Sequence, residues 1–341
     1  MRVLGIDPGT VSLDVCGLDD GRVFLDQTFP TADVLANPDV LIALIEGAAP
    51  LDLVAGPSGY GLPITNARNL TESDLRLAYL AAEGEAGGIG GLRSLMRTLA
   101  RLSVPIVLTP GVIHLPSVPA HRKVNRVDMG TADKVCAVAL AIHQQMTSQA
   151  CRAHAVALLL VELGGAFTAA VAVQNGRIVD GVGGTSGPIG ARSSGAWDGE
   201  VAFLAGNVTK AMLFGGGVAS MGESPEAWYG YVEGIEKTVA ALSVAAPDAR
   251  HVVLSGRHAR RVHAELAGRA SMGGRTVGLL SGFASTAKEG AQGAALLADG
   301  LAGGQSVELV DTLGIRDASG TLLDYLHVIS PSDARRRIGL R

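Results

Sequence analysis

One pattern occurs twice in this chain, and it limits the folds open to it. An apolar run, RVLGI, ends on Asp7 and turns through Pro8, Gly9 and Thr10 into a second apolar segment, LDVCGLDD. Asp20-Gly21 then leads into RVFLDQTF. Asp-Gly between two such segments is a strong two-residue hairpin signal, because both central positions of a type I′ turn need positive φ. The order returns from residue 155 onward. AVALLLVE ends on Glu162, turns through Gly164 and Gly165 to Thr168, and signals a second hairpin at Asn175-Gly176. The two openings share architecture rather than residue identity. Their spacing predicts two halves, each beginning with a strand, an acid, a glycine turn and a hairpin.

The rest of the chain supplies what such halves need. LDLVAG, PIVLTPG and HVVLSG read as buried strands. Residues 131–148 show apolar spacing at three and four, which predicts a helix with Thr131 as its N-cap and Asp133 and Lys134 in its first turn. Further helices are expected near 224–245 and over STAKEGAQGAALLADGLAGG. At 341 residues the chain exceeds one typical core, so two domains are expected, 1–149 and 150–341, the second carrying a short C-terminal tail from 306. Glycine is abundant, at 46 residues, which suits an α/β protein with many tight turns near ligands.

Charge and cysteine content narrow the function classes. The net charge of −4 gives no electrostatic case for nucleic acid, and the basic clusters at Arg257, Arg260 and Arg261 and at Arg335, Arg336, Arg337 and Arg341 are short. The three cysteines, Cys16, Cys136 and Cys151, form no C-x-x-C pair, which argues against a disulfide framework and fits a reduced, cytoplasmic setting. The sequence opens without a charged-then-apolar leader. It holds no run of 18 apolar residues, so no membrane partner is expected. The eight histidines show no metal-type pairing.

The repeated turn has a chemical meaning. Glycine lets backbone N–H groups approach phosphate oxygens, and Thr10 and Thr168 would add hydroxyl donors to Gly9, Gly164 and Gly165. Asp7 and Glu162 repel phosphate, so their role would be to hold Mg²⁺ or its waters. A single turn of this kind is read more simply as a hairpin closure. Two of them, each behind an acid at a strand end, favour phosphate binding.

These residues carry a resemblance. GIDPGT and ELGGAFT are similar to the two phosphate motifs of the superfamily of acetate and sugar kinases, actin and heat-shock chaperone ATPases, with Glu162 where many members carry Asp. VVLSGR resembles its adenosine motif, placing Ser255 and Gly256 near the nucleoside, and KEGAQGAALLADGLAGG resembles the helix that closes over the nucleotide. Within the superfamily, DMGTADK, GGTSGPIGARSSGAWDGE and KEGAQGAALLADGLAGG most resemble the family labelled predicted butyrate kinases. The resemblance covers most of residues 1–305. It implies two ribonuclease H-like domains around a central nucleotide cleft, ATP with Mg²⁺, and domain closure about glycine turns. Dimers are common among such kinases, which makes a homodimer one arrangement to expect.

Superfamily membership does not name the acceptor. G-x-x-D-K in DMGTADK is similar, with a one-residue difference in spacing, to the G-x-D-R segment of type III pantothenate kinases. That makes Asp133 the candidate base, with Asp128 as competitor; the plainer role for Asp133 is a first-turn acid favoured by the helix dipole. Arg192 is the one cation in the glycine-rich stretch GVGGTSGPIGARSSGAWDGE, where a guanidinium fork would suit a carboxylate or a transferring phosphoryl group; a surface arginine in a loop is the alternative. Asp198 would orient Arg192 or cap the following helix. A carboxylate acceptor is already ionised at pH 7 and needs no base, whereas an alcohol would need Asp133 or Asp128. The expectation is therefore an ATP-dependent kinase of a small molecule, a short-chain carboxylate such as acetate or butyrate, with a hydroxyl acceptor as alternative. Three other readings stay open: an ATP-driven switch, a two-metal nuclease of ribonuclease H type, and a nucleotide binder without turnover.

Overall fold

The computed structural model describes residues 1–56, 59–80, 89–222 and 224–340. The strands are β1 (Arg2–Pro8), β2 (Ser12–Asp19), β3 (Arg22–Pro30), β4 (Leu53–Gly56), β5 (Thr65–Asn66), β6 (Ile106–Leu108), β7 (Leu158–Leu163), β8 (Thr168–Gln174), β9 (Arg177–Val182), β10 (His251–Ser255) and β11 (Thr276–Leu279). The helices are α1 (Thr31–Ala36), α2 (Asp39–Gly47), α3 (Glu72–Tyr79), α4 (Ile89–Leu99), α5 (Ala120–Lys123), α6 (Ala132–Gln149), α7 (Gly199–Ala205), α8 (Pro225–Leu242), α9 (Ala259–Leu266), α10 (Glu289–Leu301), α11 (Val307–Leu313) and α12 (Pro331–Arg337).

The strands form two sheets of matching design. The first runs β3-β2-β1-β4-β6-β5 and the second β11-β10-β7-β8-β9. In each, the opening strand pairs antiparallel with its hairpin and parallel with a later strand: β1 with β2 and β4, β7 with β8 and β10. Both expected hairpin turns form. Asp20 and Gly21 take φ of 45° and 78°, and Asn175 and Gly176 take 54° and 69°, the left-handed values a two-residue turn of this hand demands. The duplicated mixed α/β architecture expected from the repeat is therefore present.

The chain divides into two compact units. The first holds Met1–Val127, Thr131–Ala153 and Ser281–Arg341; the second holds Asp128–Gly130 and His154–Leu280. This differs from two consecutive domains meeting at 149/150, because the segment Ser281–Arg341 belongs with the first sheet. The reason lies in α10, which packs on β1, β2, β4 and α6. It is buried on all sides, from Gly290 to Gly300, including the polar Gln292 and Asp299. Its small residues permit an approach that side chains would block. A Cβ on Gly5 of β1 would stand 2.2 Å from the Ala291 carbonyl oxygen, and one on Gly293 would stand 1.8 Å from that of Cys136 in α6. The tail continues on the same unit: Asn125 accepts from the N–H groups of His327 and Val328, and Arg76 donates to the carbonyls of Ile338 and Gly339.

In the second unit, α8 and α9 cover one sheet face. Tyr231, Ile235 and Val239 of α8 and Val262 and Leu266 of α9 pack with Leu159, Val161 and Leu254 in one core. Ser224 caps α8 by accepting from Ala227, with Pro225 at its first position, where the missing N–H costs nothing.

Candidate functional site

In the first unit, chemistry collects where the parallel strands β1, β4 and β6 end, the usual ligand position in sheets of this type. β1 delivers Asp7, buried at 9% exposure, into the turn Pro8-Gly9-Thr10, which the Gly9 N–H closes on the Asp7 carbonyl at 3.1 Å. Thr31 supports the turn from outside, its hydroxyl donating to the Gly9 carbonyl at 2.7 Å. Thr10 is exposed. α10 begins directly against this strand end. A Cβ on Gly290 would lie 2.3 Å from Asp7 Oδ2, so only glycine lets the helix and the carboxylate meet this closely.

α6 brings Asp133 to the same corner. Burial above all, and then the negative fields of Asp7 and Asp133, push the Cys136 thiol up; one group thus senses both acids. Thr131 occupies the N-cap position of α6 but makes no capping bond; its hydroxyl donates to Asp133 Oδ1 instead. Lys134 donates to the other oxygen of Asp133. Desolvation works to raise the Asp133 carboxyl, but the Lys134 charge and these two hydrogen bonds outweigh it and hold the group below the ordinary carboxylate range.

Asp128 belongs to the second unit and Asp133 to the first. Its Oδ2 accepts from the N–H and hydroxyl of Thr185, both at 3.1 Å, and its Oδ1 from Gly130 N–H at 3.3 Å. A Cβ on Gly183 would stand 1.6 Å from Asp128 Oδ1. An acid so occupied staples the loop after β9 and is poorly placed to collect a proton from a substrate.

The second unit repeats the strand end. Glu162 is half-buried near the end of β7, and Gly164 N–H closes the turn on the Phe167 carbonyl at 3.0 Å. Gly165 is exposed, with nothing within 4 Å of where its Cβ would be. Thr168 departs from expectation. It is fully buried, and its hydroxyl donates to Tyr231 Oη at 3.4 Å, so it faces the core rather than a phosphate. The strand alternation explains this: Thr168 is the first inward residue of β8, opposite Leu163.

The loop after β9 docks on this turn. Arg192 and Ser193 donate backbone N–H bonds to the Ala166 carbonyl at 3.0 and 3.1 Å. The Arg192 side chain is exposed, and among the described residues it makes no ion pair. Asp198 does not orient it; it caps α7, accepting from Glu200 at 2.8 Å. At the end of β10, Gly256 has φ of 88°, and a Cβ there would lie 2.6 Å from the Leu163 carbonyl oxygen, so glycine is required twice over. Ser255 is buried with its hydroxyl unpartnered among the described residues. Nearby, a cavity of about 60 Å³ is lined by Trp228, Tyr231, His258 and Arg261, with Ala191 and Val218. The Arg261 guanidinium lies 3.5 Å over the Trp228 ring, and the Trp228 indole N–H is buried without a partner among the described residues.

Sequence reasoning missed Asp14, Lys288 and this aromatic cluster. Asp14 carried a signal: an acid between Leu13 and Val15 in an otherwise buried strand. Among the described residues, no group of three or more histidine, cysteine or acidic side chains could hold a metal ion by itself. No described helix is long and apolar enough to cross a membrane.

The family model described as "Protein of unknown function (DUF1464)" matches residues 5–328. The chain belongs to that family. No curated protein matches it in sequence. Among solved structures, acetate kinase from Porphyromonas gingivalis is similar with a TM-score of 0.55 at 13% identity, covering 86% of this chain and 98% of that one. A propionate kinase from Francisella tularensis gives 0.56 at 11% identity over 86% and 98%. Acetate kinase from Entamoeba histolytica gives 0.54 at 12% identity over 76% and 82%. At such identities the likeness is one of fold, and it agrees with the two matching sheets.

Proposed function

We propose that this DUF1464 member is an ATP-dependent phosphotransferase with a short-chain carboxylate as acceptor, producing an acyl phosphate. The observation that carries the reading is the acid-then-glycine turn at the end of the first strand of each sheet, Asp7 with Gly9 and Thr10, and Glu162 with Gly164 and Gly165. Backbone N–H groups at such turns suit phosphate oxygens. Thr10 adds a hydroxyl; Thr168 supports the fold through Tyr231 instead. Ser255 and Gly256 are assigned to the nucleoside side, where the unpartnered Ser255 hydroxyl and Trp228 N–H are donors in want of an acceptor.

Asp7 and Glu162 fit magnesium as hard oxygen ligands. Mg²⁺ binds through one or two carboxylates together with substrate phosphates. When bound, the ion would neutralise charge on the phosphates. The chain's own contribution is to hold Asp7 rigidly, since the α10 backbone at Gly290 leaves its carboxylate no room to swing toward the helix.

The carboxylate acceptor is supported by the state of Asp133. A general base works best with a pKa near the working pH, and Asp133 is held low by Lys134 and Thr131. It is better suited to orient Lys134 than to take a proton. A carboxylate needs no proton removed, and Arg192 is an exposed guanidinium tethered by its backbone to the phosphate turn. The acetate and propionate kinases of similar fold are named for acceptors of that class.

The test is ATP turnover with Mg²⁺ across a panel of short carboxylates and small alcohols, trapping acyl phosphates with hydroxylamine. A hydroxamate from one acid class, absent without enzyme, supports the reading. A phosphorylated alcohol that depends on Asp133 would replace it with a hydroxyl acceptor.

A further inference from the structure

Two acids face each other across the first hairpin. Asp7 of β1 pairs with Asp14 of β2 in the antiparallel register, so both side chains project to the face that α10 covers. Asp7 is 9% exposed and Asp14 1%. Like charges placed directly opposite on a sheet are unfavourable, and burial makes them more so. Asp14 is compensated by specific partners. Its Oδ2 accepts from Ser12 Oγ at 2.7 Å, and the Lys288 ammonium lies 3.6 Å from the same oxygen. The Lys288 backbone N–H points to Asp14 Oδ1 at 3.4 Å.

Lys288 has a second neighbour. Its Nζ lies 3.8 Å from where a Cβ on Gly9 would stand, above the turn itself. The side chain is about half exposed, whereas Asp14 is sealed. The segment before Lys288 is pinned as well. Asp26 of β3 accepts from the N–H groups of Ser285, Thr286 and Ala287 at 2.8, 3.0 and 2.6 Å. The ammonium is therefore anchored at its root by backbone, held at one side by a buried carboxylate, and open at the other over a glycine.

We propose that Lys288 is a phosphate-binding residue of this turn and that Asp14 is the positioning residue that holds its ammonium over Gly9. The inference rests on the nucleotide reading above and adds to it a cation over the first turn. A solvated surface lysine would need no sealed acid and no fixed root. With a polyphosphate in the turn, the ammonium would exchange its exposed water for a phosphate oxygen while keeping Asp14.

The test is equilibrium binding of ATP, ADP and adenosine, by calorimetry, to the wild-type protein and to Lys288→Ala, Lys288→Arg and Asp14→Asn. Lys288→Ala should weaken ATP and ADP about 10- to 150-fold, the range for a charge-assisted hydrogen bond, and leave adenosine unchanged. Lys288→Arg should recover most of that loss, because charge is kept. Asp14→Asn should lose less than Lys288→Ala, again only for the phosphorylated ligands; equal losses for adenosine would mark it as merely structural. Circular dichroism confirms that each variant is folded, and the exposed Lys288→Ala change keeps the test open if Asp14→Asn is not. Wild-type protein that binds ATP, with Lys288→Ala binding it equally well, would overturn this inference alone. Wild-type protein that binds neither ATP nor ADP would overturn the nucleotide reading with it.

Discussion

Gly290→Ala separates the role of Asp7 in activity from any role in folding. The new methyl would stand 2.3 Å from Asp7 Oδ2 and 2.8 Å from its Cγ. To reach ordinary contact, the carboxylate must withdraw by about 1 Å. The clashing atoms belong to a side chain rather than to backbone, so they can move without unseating the helix. Overpacking costs about 1–3 kcal/mol, and alanine in place of a helical glycine returns about 0.8–1 kcal/mol, so the net loss is about 0–2 kcal/mol. That shifts Tm by less than about 6 °C for a chain this long. A catalytic group displaced by 1 Å, by contrast, costs on the order of 100-fold in rate. The expected result is near-normal stability in urea with kcat/KM for ATP lowered about 100-fold. Gly293→Ala is the control. Its methyl would lie 1.8 Å from the Cys136 carbonyl oxygen, which is backbone and cannot yield, so this variant should lose more than about 3 kcal/mol or fail to fold. Gly290→Ala with wild-type stability and wild-type turnover would refute the placement of Asp7 in the reacting centre.

Thr168→Val should leave ATP affinity unchanged and cost about 1 kcal/mol or less of stability, since its bond to Tyr231 is long; Thr10→Val should weaken ATP binding without a stability change. Gly256→Ala should destabilise by at least about 2 kcal/mol, from the left-handed backbone and the clash with Leu163 together, as read from urea unfolding. His114 supplies a pH prediction. Burial pushes its imidazole down to about 4, so it folds neutral, while the unfolded chain takes up a proton near pH 6.5. Its contribution is intact above pH 6.5 and is lost as pH falls from there to 4, by about 3 kcal/mol in all. His114→Gln should flatten that part of the stability profile; an unchanged slope would mean the wild-type imidazole is not the group responsible.

The parts of the fold that were legible in sequence are those fixed locally. Asp20-Gly21 and Asn175-Gly176 specify their hairpins within a few residues, and the apolar spacing of 131–148 specifies α6. The division into units was not legible, because it depends on contacts between distant segments: Gly5 against Ala291 and Gly293 against Cys136 join residues that lie far apart in the sequence. The site shows the same limit. Asp7 and Gly9 announce themselves as acid and turn. The burial of Thr168 was not legible, because its position in the turn motif conceals that it is already an inward residue of β8. Asp128 was recognised as special, but its employment as a staple for Thr185 and Gly183 is visible only in three dimensions. Lys288 looks like any lysine at a helix start until Asp14 is seen beneath it.

The most direct measurement follows the γ-phosphoryl group of labelled ATP into an organic acceptor, comparing the wild-type protein with Asp7→Asn and Glu162→Gln. The account predicts transfer to a short carboxylate by the wild-type protein and loss of transfer in both variants, with folding retained. Transfer that continues undiminished in both variants, or no transfer to any acceptor by a wild-type protein that nonetheless binds ATP, would contradict it.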